Sequence, residues 1–159
     1  MSSPAKGTSA PTSAGIGGAE PSATEAKPRV LIVDDEIYNL ETFLRVFRKH
    51  FHIVTAASAK QALQELETHS FDVALFDYAM PSMNGAELLR SAAAIQPTIT
   101  FFMVTAHADA QEVRDTLKAG LSYRIIMKPW SRDEVLRWVT NGHQLSLLRK
   151  SVQDMKRSV

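Results

Sequence analysis

Between residues 29 and 141 the chain alternates short apolar runs with stretches in which large apolar side chains recur every three or four residues. Val30-Leu31-Ile32-Val33 is continuous, rich in β-branched side chains, and ends in Asp34-Asp35. A run of that kind suits a strand buried on both faces of a parallel sheet. Leu40, Phe43, Leu44 and Phe47 then share one face of a helix that the spacing predicts to end near His50. The same reading predicts strands over 52–56, 71–76, 99–104 and 123–127, and helices over 59–68, 86–94 and 110–119. Gly120 suits a helix C-terminus, and Ser131 with Glu134 makes a capping-box pattern that opens a last helix. Five strands alternating with five helices imply right-handed crossovers and an α/β fold. Its core is a doubly wound, five-stranded parallel sheet covered on both faces.

Both ends of the chain depart from this alternation. Residues 1–28 are mostly Ser, Thr, Ala, Gly and Pro, with Ile16 the sole large aliphatic side chain after Met1. Such a segment buries too little apolar surface to offset its conformational entropy and is expected to be disordered. At the other end, Val135, Trp138, Leu145, Leu148, Val152 and Met155 continue a helical pattern, with an interruption expected near Asn141-Gly142. The expected organisation is a tail over 1–28, a folded body over 29–142 and a helical extension over 143–159. That extension either frays or pairs in a short coiled coil, which makes a homodimer one possible partner state.

Composition narrows the function. The 159 residues carry a formal net charge of +1 and no cysteine. That removes thiol catalysis, disulfides and cysteine-ligated metals, and gives no electrostatic case for nucleic acid or acidic membranes. No apolar run approaches the roughly 20 residues that span a bilayer, so no membrane association and a cytoplasmic location are expected.

The chemistry collects at the ends of the predicted strands. Asp34-Asp35 close the first, Asp77 the third, Thr105 the fourth and Lys128 the fifth. Doubly wound sheets bind ligands beyond these carboxyl ends. Taken singly, Asp34-Asp35 suit a helix start, Thr105 a hydroxyl bonding backbone, and Lys128 a solvated surface charge. Together they bring three carboxylates, a hydroxyl and an ammonium to one rim. Clustered acids favour a hard divalent cation such as Mg²⁺. A carboxylate beside such a cation and a lysine can attack phosphorus to form an acyl phosphate.

Val33-Asp34-Asp35-Glu36, the stretch from Asp77 through Met80-Pro81 to Asn84-Gly85, Thr105-Ala106 and Lys128-Pro129-Trp130 resemble the motif set of response-regulator receiver domains, over about residues 29–141. The resemblance implies a flavodoxin-like receiver fold with an extended C-terminal helix. By it, Asp77 accepts a phosphoryl group from a histidine kinase or histidine phosphotransfer protein. Asp35, Asp77 and the backbone carbonyl of Ala79 ligate Mg²⁺, and Asp34 acts mainly through a metal-bound water. Lys128 contacts the phosphoryl group, Thr105 is the switch hydroxyl, and the Lys128-Pro129 bond is cis. The implied output is a change of protein contacts through the last two helices and the fifth strand, with slow self-dephosphorylation rather than enzymatic turnover.

Several features depart from the family pattern. Ile125 stands where many receivers carry a switch aromatic, Tyr123 lies two residues earlier, and the segment from Gly120 to Lys128 is one residue longer than in many relatives. A swinging aromatic is therefore not expected. Ala79 and His107 occupy the positions that flank the attacking water when the acyl phosphate is hydrolysed, and alanine cannot orient water. A phosphoryl lifetime longer than with an amide at that position is expected, unless His107 compensates. The same Ala79 argues against a hydrolase working through an aspartyl phosphate, because such enzymes commonly place a second aspartate there. A receiver-like domain that works unphosphorylated would have no need of the whole acid, Thr105 and Lys128 set. The 17 residues after Gly142 are too few for an output domain, so a stand-alone receiver and part of a longer regulator are both compatible with the sequence.

Overall fold

The computed structural model describes residues 26–158. The expected tail over 1–28 lies outside them up to residue 25. Strands β1 (Arg29–Val33), β2 (His52–Ala56), β3 (Val73–Asp77), β4 (Thr100–Thr105) and β5 (Ser122–Met127) alternate with helices α1 (Ile37–Phe47), α2 (Ala59–Thr68), α3 (Gly85–Ile95), α4 (Gln111–Lys118) and α5 (Arg132–Ser158). The strands form one sheet in the order β2-β1-β3-β4-β5, every pairing parallel. This is the flavodoxin-like fold that the resemblance implied, and it puts the switch in strand order between β1 and β3.

Burial follows the apolar runs. Every residue of β3 and β4 is buried, whereas edge strand β2 is mostly half-buried. On one face Leu31, Val33, Ala74, Phe76, Phe101 and Met103 pack against α2 and α3. On the other, Val30, Ile32, Leu75, Phe102 and Val104 meet α1 and the first turns of α5. Trp130 closes this second layer, its ring 5.9 Å from that of Phe43 and 5.4 Å from that of Phe47. The loop leaving β5 is thereby pinned to α1.

Helix starts use local side chains. Ser58 accepts from the Gln61 amide, Asn84 and Glu87 form a reciprocal capping box, and Ser131 accepts from the Glu134 amide at 3.1 Å. The third strand begins later than its apolar run suggests. Asp72 still bonds both neighbouring strands through its backbone, to Arg29 at 2.8 Å and from Thr100 at 3.0 Å, and its carboxylate accepts from the Arg29 amide at 2.8 Å and from Lys150 at 2.7 Å.

The last helix corrects the sequence reading. It runs unbroken through Asn141-Gly142, where an interruption was expected. Gly142 is there for space rather than for a bend: a β-carbon on it would lie 3.0 Å from Thr100 Cγ2 and 3.1 Å from the Phe102 ring. Packing also continues past residue 142. His143 and Ser146 are buried, and Arg149 donates to the Ile99 carbonyl at 3.2 Å and to Thr100 Oγ1 at 3.1 Å. Among the described residues, no helix is long and apolar enough to cross a membrane.

Candidate functional site

Each strand end is extended by one backbone bond that fixes where its polar residue stands. The Asp34 amide donates to the Ala56 carbonyl at 3.2 Å, Tyr78 to Val104 at 3.0 Å, and Lys128 to Thr105 at 2.9 Å. Parallel strands rising in register thus deliver Asp34, Asp77, Thr105 and Lys128 to one rim, as expected from the sequence. Asp34, Asp35 and Asp77 each offer a carboxylate oxygen within 4.8 Å of the others. Asp34 and Asp77 are only 5% and 6% exposed, whereas Asp35 faces solvent.

Lys128 answers this charge from β5. Its Nζ donates across 2.9 Å to Asp77 Oδ1 and 3.3 Å to Asp34 Oδ2. Burial pushes the Asp77 carboxyl above its ordinary range, against the Lys128 hydrogen bond, and the charges of Asp34 and Asp35 push the same way. Burial alone would lower Lys128. The hydrogen bond and charge of Asp77, with Asp34 behind it, outweigh that and hold the ammonium above the usual lysine range. The site therefore carries three acids against one cation, and its donors are all oxygen. That set matches a hard divalent ion such as Mg²⁺.

Two further strand-end features shape the rim. Thr105 Oγ1, buried, accepts from the His107 amide at 2.9 Å and so ties the hydroxyl to the loop after β4. Gly85, at the start of α3, lies against the backbone at the end of β3: a β-carbon there would strike the Asp77 carbonyl oxygen and fall 2.9 Å from Tyr78 Cα. Its amide donates to the Tyr78 carbonyl at 2.9 Å. Only glycine permits this approach. The Lys128-Pro129 bond is cis, as the resemblance implied. A cavity of about 580 Å³ runs from Asp77 and Lys128 along Thr42, Phe43 and Val46 of α1 to Trp130.

Sequence reasoning missed two supporting residues. Asn39 Nδ2 donates to Asp34 Oδ2 at 3.0 Å and to Glu36 Oε1 at 3.1 Å, holding the first acid in place. Its signal was available: an amide five residues after Asp34 lies on the first turn of the predicted helix. Glu112 on α4 accepts from Tyr78 Oη at 2.9 Å and from Asn84 Nδ2 at 3.0 Å, stapling the loop after β3 to α4. Nothing local marks Glu112, since its partners lie about 30 residues away.

The extra residue before Lys128 has a structural outcome. The β4–β5 register shifts between Phe101 and Phe102, which pair with Ser122 and Arg124 and leave Tyr123 as the bulged residue. A one-residue bulge moves a side chain to the other face of the sheet. Tyr123 accordingly packs edge-on against Phe102, 5.8 Å between ring centres, on the α5 side. Beside it the Arg124 guanidinium sits 3.8 Å over the Trp138 ring. Ile125 packs into the opposite layer.

Comparison with known proteins agrees with this geometry. The family model described as the response regulator receiver domain matches residues 30–140. The chain is 27% identical over 124 residues to the hydrogenase transcriptional regulatory protein HoxA of Bradyrhizobium diazoefficiens, an alignment covering 78% of this chain and 26% of that protein. It spans about a quarter of the length of the curated relatives it matches. Among solved structures, a CheY-like response regulator receiver domain protein from Methanospirillum hungatei superimposes with a TM-score of 0.72 at 30% identity, covering 78% of this chain and 99% of that one. The structure of an adenylate cyclase from Rhodopirellula baltica gives 0.79 at 25% identity, covering 84% of this chain and all of the other.

Proposed function

Because this chain belongs to the receiver-domain family of two-component response regulators, we propose that Asp77 is its phospho-accepting residue and that the domain works as a Mg²⁺-dependent switch in a phosphorelay. The observation that carries the proposal is Lys128, which reaches Asp77 and Asp34 together from a different strand. A lysine held at that point lies where a phosphoryl oxygen on Asp77 would carry charge.

Asp34, Asp35, Asp77 and the Ala79 backbone carbonyl would hold Mg²⁺, Asp34 mainly through a coordinated water. The bound ion would neutralise the acids and the charge on the incoming phosphoryl oxygens. An Asp77 carboxylate oxygen forms the new bond to phosphorus while the phosphorus–nitrogen bond of a phosphohistidine breaks, its electron pair leaving on the imidazole. The donor is a histidine kinase or a histidine phosphotransfer protein, and the setting is the cytoplasm. Lys128 steadies the transferred group by charge and hydrogen bonding.

The response begins at Thr105. Its hydroxyl accepts a bond from the His107 amide; turning toward a phosphoryl oxygen would release that amide and shift the loop after β4. From there α4, β5 and α5 change their contacts with other proteins. The bulge at Tyr123 supports the view that this relay runs without an aromatic flip, since Ile125 occupies the α4-side position. The chain is on this reading a switch and not a turnover catalyst.

Incubation with acetyl phosphate and Mg²⁺, followed by intact mass, tests the proposal. One phosphoryl group should appear on the unsubstituted chain and none on Asp77→Asn. An adduct that survives in Asp77→Asn, or none on either chain, would defeat the assignment.

A further inference from the structure

Helix α4 is held in place from outside itself. It has eight residues, its N-cap Ala110 offers no side chain to the free amides of the first turn, and only Val113 and Thr116 are buried along it. A helix so short and uncapped takes its position from contacts with its neighbours. Glu112, in its first turn, supplies three of them. One carboxylate oxygen accepts from Tyr78 Oη at 2.9 Å and from Asn84 Nδ2 at 3.0 Å, and the other lies 3.8 Å from the Arg90 guanidinium. Tyr78 and Asn84 are the first and last residues of the loop between β3 and α3. That loop is closed at its base by the Tyr78 carbonyl, which accepts from the Met80 amide at 3.1 Å and the Gly85 amide at 2.9 Å. At its far end Asn84 does two jobs at once. Its side-chain oxygen caps α3 by accepting from the Glu87 amide at 2.9 Å, while its nitrogen donates to Glu112. Serine or aspartate would cap as well, but neither carries an amide to donate across to α4.

We propose that Glu112 is a positioning residue for the metal side of the site: by gripping both ends of the loop after β3 it fixes the Ala79 carbonyl, and it makes the seating of α4 depend on whether the ion is bound. This rests on the reading of Asp77 and Mg²⁺ given above and extends it. Ala79 follows Tyr78 directly, so a loop held at both ends holds that carbonyl too. Glu112 lies outside the three-acid cluster, and its part is played through hydrogen bonds rather than as a ligand. The hydrogen bond to Glu112, with burial and the glutamate charge behind it, raises the Tyr78 phenol above its ordinary range, so the phenol stays a donor wherever the carboxylate is charged. The path from Thr105 reaches α4 through the chain that follows β4. The path through Glu112 starts from the loop after β3, and the ion alone can work it. Such coupling is reciprocal: a contact that holds the loop ready for the ion is tightened in turn by the ion.

Calorimetric Mg²⁺ titration of the full chain, paired with hydrogen exchange, tests this. Glu112→Ala should weaken Mg²⁺ binding about five-fold or more, since both donors lose a charged acceptor. Glu112→Gln keeps the shape and an oxygen that can accept from both, so its affinity should stay within about two-fold of the unsubstituted chain. Saturating Mg²⁺ should slow exchange of the Arg114 and Asp115 amides about three-fold in the unsubstituted chain and leave them unmoved in Glu112→Ala. Equal Mg²⁺ affinity in Glu112→Ala and the unsubstituted chain overturns the proposal. So does an equal loss in the alanine and glutamine variants, which would assign the effect to charge rather than to position. A loss in Glu112→Ala accompanied by faster exchange across the whole sheet overturns it as well, because that marks general loosening. No response of α4 to Mg²⁺ in the unsubstituted chain overturns the link to that helix. An unsubstituted chain that takes up no Mg²⁺ defeats the metal reading itself and this inference with it; one that binds Mg²⁺ alike in every variant defeats the inference alone.

Discussion

Saturating the three-carboxylate rim with Mg²⁺ should raise the stability of the fold, and the geometry sets the scale. With an effective dielectric constant near 20, each acid–acid pair, no more than 4.8 Å apart, costs at least about 3.5 kcal/mol, and the two Lys128 pairs at 2.9 and 3.3 Å contribute about 5–6 kcal/mol of attraction each. Three repulsions thus offset most or all of the two attractions, and burial tips the balance further against a charge on Asp77, in line with its raised titration. A divalent cation reverses that balance. At ten times its dissociation constant it adds about 1.4 kcal/mol, or about 5 °C in unfolding midpoint for a domain of this size. The assay is thermal unfolding at neutral pH in EDTA and across a Mg²⁺ titration, for the unsubstituted chain, Asp35→Asn and Asp77→Asn. In EDTA, Asp77→Asn should be as stable as the parent or up to about 1 kcal/mol more so, because it removes a charge the fold disfavours. Its gain from Mg²⁺ should fall by half or more. The pH sign follows from the same shift. A carboxyl raised in the folded state holds a proton that the unfolded chain releases. Its contribution is therefore full below the ordinary aspartate range and is lost as pH rises through the raised value. Metal-free protein should lose that part of its stability on going from acid to neutral pH, and Asp77→Asn should not. Equal midpoints in EDTA and saturating Mg²⁺, or equal gains in all three proteins, would refute the reasoning.

Other substitutions test other parts of the structure. Gly85→Ala drives a β-carbon into the Asp77 and Tyr78 backbone and should cost about 3 kcal/mol in urea unfolding, with phosphoryl acceptance lost in step. Asp72→Ala removes the acceptor of the Arg29 amide and of Lys150. It should cost about 2–4 kcal/mol and speed hydrogen exchange in the last turns of α5 while leaving α1 unchanged; unaltered exchange there would show that the anchor is idle. Ala79→Asn supplies an amide that can orient water, so decay of the phosphorylated chain should quicken about ten-fold. A rate that barely moves would mean that His107 or solvent already positions that water.

The sequence by itself determined the layered core and the rim of chemistry. β1, β3 and β4 are apolar without alternation because both of their faces are covered, and that covering requires parallel crossovers whatever the details. Once the strands are parallel, the residues that end them share one rim, so Asp34, Asp77, Thr105 and Lys128 were legible as a group. Tertiary structure decided what periodicity cannot encode. Lys128 meets Asp34 across 94 positions of sequence, and Glu112 meets Tyr78 across 34; those distances depend on strand order and helix placement, not on local pattern. The bulge that carries Tyr123 to the α5 side arises from register against Phe101 and Phe102. Gly142 reads locally as a helix breaker, at a cost of about 1 kcal/mol against alanine. In the fold, the close approach of Thr100 and Phe102 makes a small residue necessary there, and the helix runs on. Local sequence reports which face of an element is buried, and only the assembled sheet determines which distant side chains that face meets.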